Sequence, residues 1–314
     1  MAALGPTIQL NNGITMPALG FGTFAHKGSK GETHQAVIAA LEAGYRHLDS
    51  AWIYENEDEV GSAVQEFLAA NPGVQRSDIF ITTKVWQHLH EPEDVEWSLN
   101  DSLRQLQTES APMARQALTL PPSTHSDDDA QYAINKALTQ DPVPTWRAME
   151  RLVRLGKARA IGVSNWTMAG LSSLLRSAAI RPAVNQIEIH PFLPNTALVD
   201  FCFAHQVFPV AYSPLGSQDQ VPSTGEKVMD NLALRVIAER NGASIAQVLI
   251  AWGLQRGYAV LPKSSNGDRI RSNARLITLS HEDFEAVNRV AEGRHVRFLN
   301  MKDTFGYDVW PEEA

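Results

Sequence analysis

Three residue types that cooperate in proton transfer lie close together in this chain. "HLDSAWIYENEDEVG" carries Asp49 and Tyr54, and "ITTKVW" carries Lys84. A lysine ammonium beside a phenol lowers the phenol's pKa, and a carboxylate holds that ammonium in place. The set suits an acid that hands a proton to a substrate oxygen, with Tyr54 as the donor. By residue type alone it equally describes a structural Asp49–Lys84 ion pair with Tyr54 as a rim aromatic. Position separates the two readings, because a working trio has to meet at one end of one fold.

The elements that would place them are legible. "ALGFG", "YRHLDSA", "DIFITTKV", "KARAIGVSN", "AVNQIEI", "FPVAYSP" and "YAVLPKS" are short, rich in β-branched or aromatic residues, and ended by polar, Gly or Pro residues. They read as strands, with Asp49 and Lys84 at the ends of the second and third. Between them run helical patterns with one apolar face each: Val37, Ala40 and Leu41; Val60, Val64, Phe67 and Leu68; Val95, Leu99, Leu103 and Leu106; Trp146, Met149, Leu152 and Val153. Gly44, Gly156 and Gly242 follow three helices where a left-handed cap residue belongs, and Ser244 with Gln247 resembles a capping box.

Alternation this regular means parallel strands with helical crossovers. The fold expected is an α/β (β/α)8 barrel occupying residues 1–314 as one domain, with an N-terminal hairpin turning at Asn12-Gly13 in "TIQLNNGITMP". In such a barrel the strand C-termini form the active-site mouth, so Asp49, Tyr54 and Lys84 can converge there. The rival is a doubly wound sheet, since "GFGTFA" matches a dinucleotide-binding fingerprint through Gly20, Gly22 and Ala25. A true fingerprint opens a helix directly, whereas "HKGSKGE" intervenes here.

Composition narrows the function classes. The chain has 314 residues, 44% of them hydrophobic and 20% charged, enough for a large core without disulfides. Its net charge of −8 argues against a general nucleic-acid or anionic-membrane surface. Cys202, the single cysteine, can form no internal disulfide, and no run approaches the roughly 18 apolar residues of a membrane span. "MAALGPTIQL" has neither a basic n-region nor an apolar h-region. A cytoplasmic monomer with a small-molecule partner is expected. "HLHEPED", with His88, His90 and Glu91, has no matching third cluster and reads as a solvated loop, so no metal site is expected.

The order of these words along the chain resembles the aldo-keto reductase family. The likeness runs through "LGFGTF", "GYRHLDSAWIYENEDEVG", "ITTKVW", "GKARAIGVSNW", "NQIEIHPFLPN", "AYSPLGS", "VLPKS" and "DTFGYDVWPEE". It is most like fungal members acting on glycerol, glyceraldehyde or sugar-derived carbonyls. The resemblance implies that Asp49, Tyr54 and Lys84 fill three of four catalytic positions, Tyr54 being the proton donor. It implies that Ser164, Asn165 and Gln186 hold a nicotinamide carboxamide, that Tyr212 stacks on its ring, and that Ser213, Leu215 and Ser217 follow the pyrophosphate. Gly22 and Thr23 join the cofactor set.

"PKSSNGDRIRSN" supplies Lys263, Ser264, Arg269 and Asn273, where the family grips the adenosine 2′-phosphate and adenine. Independently of the family, this is a basic cluster in an acidic protein, and Lys and Arg suit a phosphate dianion. NADPH is therefore expected over NADH. Phe24, Trp52, Trp86 and Trp310 would line an apolar substrate pocket. Residues 295–314, with Phe305, Tyr307 and Trp310, lack helical or strand periodicity and read as a lid loop.

One segment departs from the pattern. The family's fourth position is an apolar strand ending in His-Trp-Pro, whose histidine hydrogen-bonds the substrate carbonyl. Residues 108–131 contain no such word. "QALTLPP" offers a weak or disrupted fourth strand from Gln116 to Leu120, and His125 lies beyond it among Ser and Asp. "KALTQDPVPTWRAME" then resumes the likeness. A natural variant with weakened catalysis, an NADPH-binding barrel no longer an enzyme, and an altered reading of the gene across this stretch all fit the protein sequence. The abrupt borders suit the last best, which sequencing the transcript tests. The expected activity is NADPH-dependent reduction of aldehydes or ketones, impaired by the missing segment. The alternative is a catalytically silent sensor or partner subunit.

Overall fold

The computed structural model describes residues 4–25, 31–108, 141–217 and 225–300 throughout, with 113–118, 123–124, 133–134, 137–138, 302 and 308–311. The hairpin comes first, β1 (Thr7–Gln9) against β2 (Thr15–Pro17). Its turn spans residues 11–13, closed by Leu10 and Ile14, with Gly13 at a φ of 83° where a side chain would be strained. Ile8, Leu10 and Met16 pack on Ala160, Val184 and Ala259 at the strand starts. Asn11 donates to the Pro182 and Gln206 carbonyls and Asn12 to that of Arg159. The hairpin thus covers the end of the barrel where strands begin, which leaves the other end for chemistry.

The barrel strands are β3 (Phe21–Gly22), β4 (His47–Asp49), β5 (Phe80–Val85) and β6 (Met113–Leu118). After a short antiparallel pair, β7 (Ser123–Thr124) with β8 (Ala133–Ile134), come β9 (Ala160–Ser164), β10 (Val184–Glu188), β11 (Phe208–Tyr212) and β12 (Ala259–Leu261). The eight barrel strands pair in parallel in chain order, and a parallel bridge from Leu19 to Val260 joins last to first. Helices Glu32–Glu42, Glu57–Ala70, Pro92–Gln105 and Val143–Arg154 bury the faces that periodicity marks out, including Val37, Val64, Leu99 and Met149. Gly44, Gly156 and Gly242 have positive φ, and Ser244 with Gln247 forms a reciprocal capping box.

One expectation holds and one changes. As the intervening "HKGSKGE" implies, the glycines of "GFGTFA" open no nucleotide-binding helix. A Cβ on Gly20 would lie 2.5 Å from Leu261 and 2.8 Å from His47, so Gly20 permits the close approach of neighbouring barrel strands, and the next helix starts only at Glu32. The fourth strand runs Met113–Leu118 instead of Gln116–Leu120. It pairs over five residues with β5 on one side and five with β9 on the other. Backbone pairing from two strands fixes the register, and it outweighs the polar pair Arg115 and Gln116 that breaks the apolar pattern. His125 lies outside the described residues.

Candidate active site

β4 ends at Asp49, and Ser50 and Ala51 lead into a single 3₁₀ turn, Trp52–Tyr54, closed by the Tyr54 amide on the Ala51 carbonyl. That turn brings Tyr54 over the strand ends. Lys84 lies one residue before the end of β5, buried, with its ammonium 2.6 Å from Asp49 Oδ2 and 2.8 Å from the Ser50 carbonyl. The same ammonium faces the phenol of Tyr54, 5.2 Å from the ring centroid. The three groups therefore meet at the barrel mouth.

Their electrostatics follow from burial. Desolvation works against the Lys84 charge, but the Asp49 carboxylate and the Tyr54 phenol outweigh it and raise the pKa above the ordinary value. For Tyr54, burial of the hydroxyl pushes the pKa up, and the pull of Lys84 offsets only part of that. Lys84 acts on the phenol in the expected direction, lowering its pKa, but desolvation outweighs it and the net shift is upward. Tyr54 therefore keeps its phenolic proton across the physiological range.

A second layer ties this trio to the groups assigned to the nicotinamide. Gln186, buried on β10, donates to Asp49 Oδ1 at 2.7 Å, so the two carboxylate oxygens serve two different donors. Ser164 Oγ donates to the Gln186 carbonyl at 2.9 Å, and the Asn165 amide meets the same oxygen at 2.9 Å. Tyr212 donates its hydroxyl to Asn165 Oδ1, also at 2.9 Å. Asn165 and Ser213 hold φ values of 60° and 46°, left-handed conformations that cluster where loops are shaped for function. Leu215 and Ser217 follow in the loop after β11, half-buried.

Further round the rim, a cavity of about 110 Å³ is lined by Gly22, Thr23, Phe24, Thr33, Lys263 and Ser264, among others. A Cβ on Gly22 would come within 3.3 Å of Lys263 Cβ, so the glycine keeps this passage open. Arg269 Nε donates to the buried Ser264 hydroxyl at 3.1 Å, and Asn273 is buried on the same short helix, Gly267–Asn273. Among the described residues neither Lys263 nor Arg269 has a carboxylate partner. Two exposed cations flanking a buried hydroxyl beside a cavity fit a phosphate group, and with it NADPH. Thr33 and Asn56 also belong here: Asn56 donates to the Thr23 carbonyl and to Thr33 Oγ1, bracing the Gly22–Thr23 wall. No sequence motif marks that bridge, which only the fold creates.

The aromatic residues assigned to substrate divide. Phe24, 48% exposed, meets the Tyr54 ring edge-on at 5.2 Å. Trp52 packs against His88 and Trp97 and donates its indole N–H to Asp101. Trp86 is half-buried at the end of β5. Trp310 is buried under the Arg297 guanidinium, 3.9 Å from its ring. Phe305 and Tyr307 lie outside the described residues. Among the described residues no group of His, Cys, Asp and Glu could hold a metal ion, and no helix is long and apolar enough to cross a membrane.

The family model described as the Aldo/keto reductase family matches residues 18–292. The chain belongs to that family. It is 60% identical over 313 residues to a glycerol 2-dehydrogenase (NADP(+)) of Hypocrea jecorina, covering 98% of each chain. It is 37% identical to a D/L-glyceraldehyde reductase of the same fungus, covering 92% of this chain and 88% of that one. A Bombyx mori aldo-keto reductase solved in complex with NADP shares the fold at a TM-score of 0.84 and 32% identity, covering 99% of this chain and 100% of that one. In this aldo/keto reductase the Gln186–Asp49 hydrogen bond joins the amide layer to the trio across the barrel, and the basic rim after β12 lies beside Gly22 and Thr23 at the end of β3.

Proposed function

We propose that this protein reduces aldehydes or ketones to alcohols with NADPH, and that Tyr54 supplies the proton. The observation that carries this reading is the buried Lys84 ammonium, held by Asp49 at 2.6 Å and turned toward the Tyr54 phenol at the mouth. NADPH, when bound, supplies a hydride to the carbonyl carbon. Tyr54 Oη gives its proton to the carbonyl oxygen, and Lys84 stabilises the phenolate left behind. Asp49 keeps the ammonium charged and in place, while Gln186 fixes the carboxylate. Ser164, Asn165 and Gln186 would hold the carboxamide, Tyr212 the ring face, and Lys263, Ser264 and Arg269 the 2′-phosphate. The relative named glycerol 2-dehydrogenase supports small hydroxylated carbonyls and the corresponding polyols as the substrate class.

The fourth strand favours a slower enzyme than its relatives. Leu118, the last residue of β6, pairs with Ser164 at the mouth, and no histidine lies within Met113–Leu118. With Tyr54 as sole donor, turnover falls by roughly 10²–10³, the usual cost of one preorganised donor. Carried to its limit, the same observation gives a barrel that binds NADPH without turnover. Monitoring NADPH oxidation over a panel including glyceraldehyde and dihydroxyacetone tests both: slow, carbonyl-dependent oxidation supports the first reading, and tight NADPH binding with no NADPH oxidation in the presence of any carbonyl selects the second.

A further inference from the structure

Two residues beyond Gln186 on the same strand, Glu188 ends β10 with its side chain wholly buried. Residues two apart on a strand share a face, so Glu188 lies above Gln186 toward the mouth, in register with Tyr212. Its carboxylate serves donors outside the catalytic trio. It accepts the backbone N–H of Phe298 at 2.7 Å on Oε1 and that of Leu299 at 3.0 Å on Oε2. His190 Nε2 lies 2.8 Å from Oε1, and the His190 ring meets Phe298 edge-on at 4.9 Å. Phe298 is buried, 3.7 Å from where a Cβ on Gly216 would stand, so it also abuts the loop that carries Ser213, Leu215 and Ser217.

The chain continues outward from this point. Val296 donates to the Phe192 carbonyl at 2.7 Å, Arg297 covers the Trp310 ring, and Asp308 accepts the Trp310 amide at 3.0 Å while pairing with Lys302. A buried carboxylate is tolerated only where donors satisfy it, and two of these donors are backbone groups of the C-terminal segment. Simple apolar packing of that segment on the barrel would not need a charge at this depth.

We propose that Glu188 is a positioning residue for substrate recognition: it latches the C-terminal segment at residues 298–299, where Arg297 covers Trp310 and Phe298 abuts the loop after β11. The specificity part rests on the carbonyl-reductase reading. Glu188→Gln keeps the shape but aims an amide N–H at one of two backbone N–H groups, which opens the latch. Leu299→Pro removes one donor and leaves the barrel strand intact.

Hydrogen exchange of the Phe298 and Leu299 amides, with KM and kcat for aldehydes of increasing length, tests this in the full chain. Glu188→Gln loses protection at both amides and Leu299→Pro at Phe298, and KM for the longer aldehydes rises about tenfold while kcat is retained, the loss expected for a charge-assisted bond. Protection that survives Glu188→Gln overturns the latch. Lost protection with unchanged KM for every aldehyde overturns its role in specificity. If Glu188→Gln does not fold, Leu299→Pro decides on the same two readouts. A wild-type protein without carbonyl reduction defeats the functional reading alone, and exchange then judges the latch.

Discussion

Asp49 divides its carboxylate between Lys84 and Gln186, Oδ2 to the ammonium at 2.6 Å and Oδ1 to the amide at 2.7 Å. One buried carboxylate thus orders both Lys84, beside the proposed proton donor, and Gln186, proposed to hold the nicotinamide. Replacing Asp49 with Asn leaves a buried ammonium without its counter-charge, a change that costs about 3–5 kcal/mol. The expected outcome is a large fall in the urea midpoint, together with loss of turnover. A midpoint equal to that of the wild type would mean that Lys84 is hydrated rather than paired.

Lys263 and Arg269 are assigned to a group that only NADPH carries. Lys263→Ala or Arg269→Ala weakens NADPH by roughly 1.5–3 kcal/mol for each charge-assisted hydrogen bond removed and leaves NADH nearly unchanged. Fluorescence titration with both cofactors measures the difference. Equal weakening of the two removes the phosphate assignment.

Much of this architecture is legible in the sequence because the barrel repeats one local rule. "DIFITTKV" and "AVNQIEI" are short, largely apolar strands, and the polar residues that interrupt them include Lys84, next to the end of the first, and Gln186, in the middle of the second. Local pattern misplaces the fourth strand because "ALTL" looks more apolar than "MARQAL", whereas ladder register from β5 and β9 selects the latter. Hydrogen bonds between distant residues leave no local signal. Gln186 and Asp49 are 137 positions apart, and Glu188 and Phe298 are 110 apart. The sign of the Tyr54 shift is likewise a matter of depth, which the residue type does not encode.

The fourth strand offers a gain-of-function test. An apolar strand over residues 113–118 continued by His-Trp-Pro adds a second donor at the carbonyl oxygen. Turnover should rise at least about tenfold, a cautious share of the 10²–10³ that one such donor supplies. Steady-state kinetics on the same aldehyde decide it. A wild-type chain that already matches an ordinary reductase, and loses that activity on His125→Ala, would make His125 the missing member.

Stability should decline at alkaline pH. Burial raises the Cys202 thiol from its usual 9.0 to about 12 and the Tyr258 phenol from 10.0 to about 12. Each group holds its proton more tightly folded than unfolded, so its contribution is complete below the ordinary pKa and is lost as pH rises toward 12. The urea midpoint should fall progressively above about pH 9, and less steeply in Cys202→Ala. An identical slope in that variant would show that the thiol does not take part.

The central claim is that Tyr54 is the proton donor of an NADPH-dependent carbonyl reductase, and Tyr54→Phe tests it most directly. The substitution removes one oxygen and leaves the ring against Phe24 and Lys84. Carbonyl-dependent NADPH oxidation and NADPH affinity are measured on the same preparation. The account predicts that oxidation disappears while the fluorescence-titrated Kd for NADPH stays near that of the wild type. Oxidation that persists at the wild-type rate would contradict it.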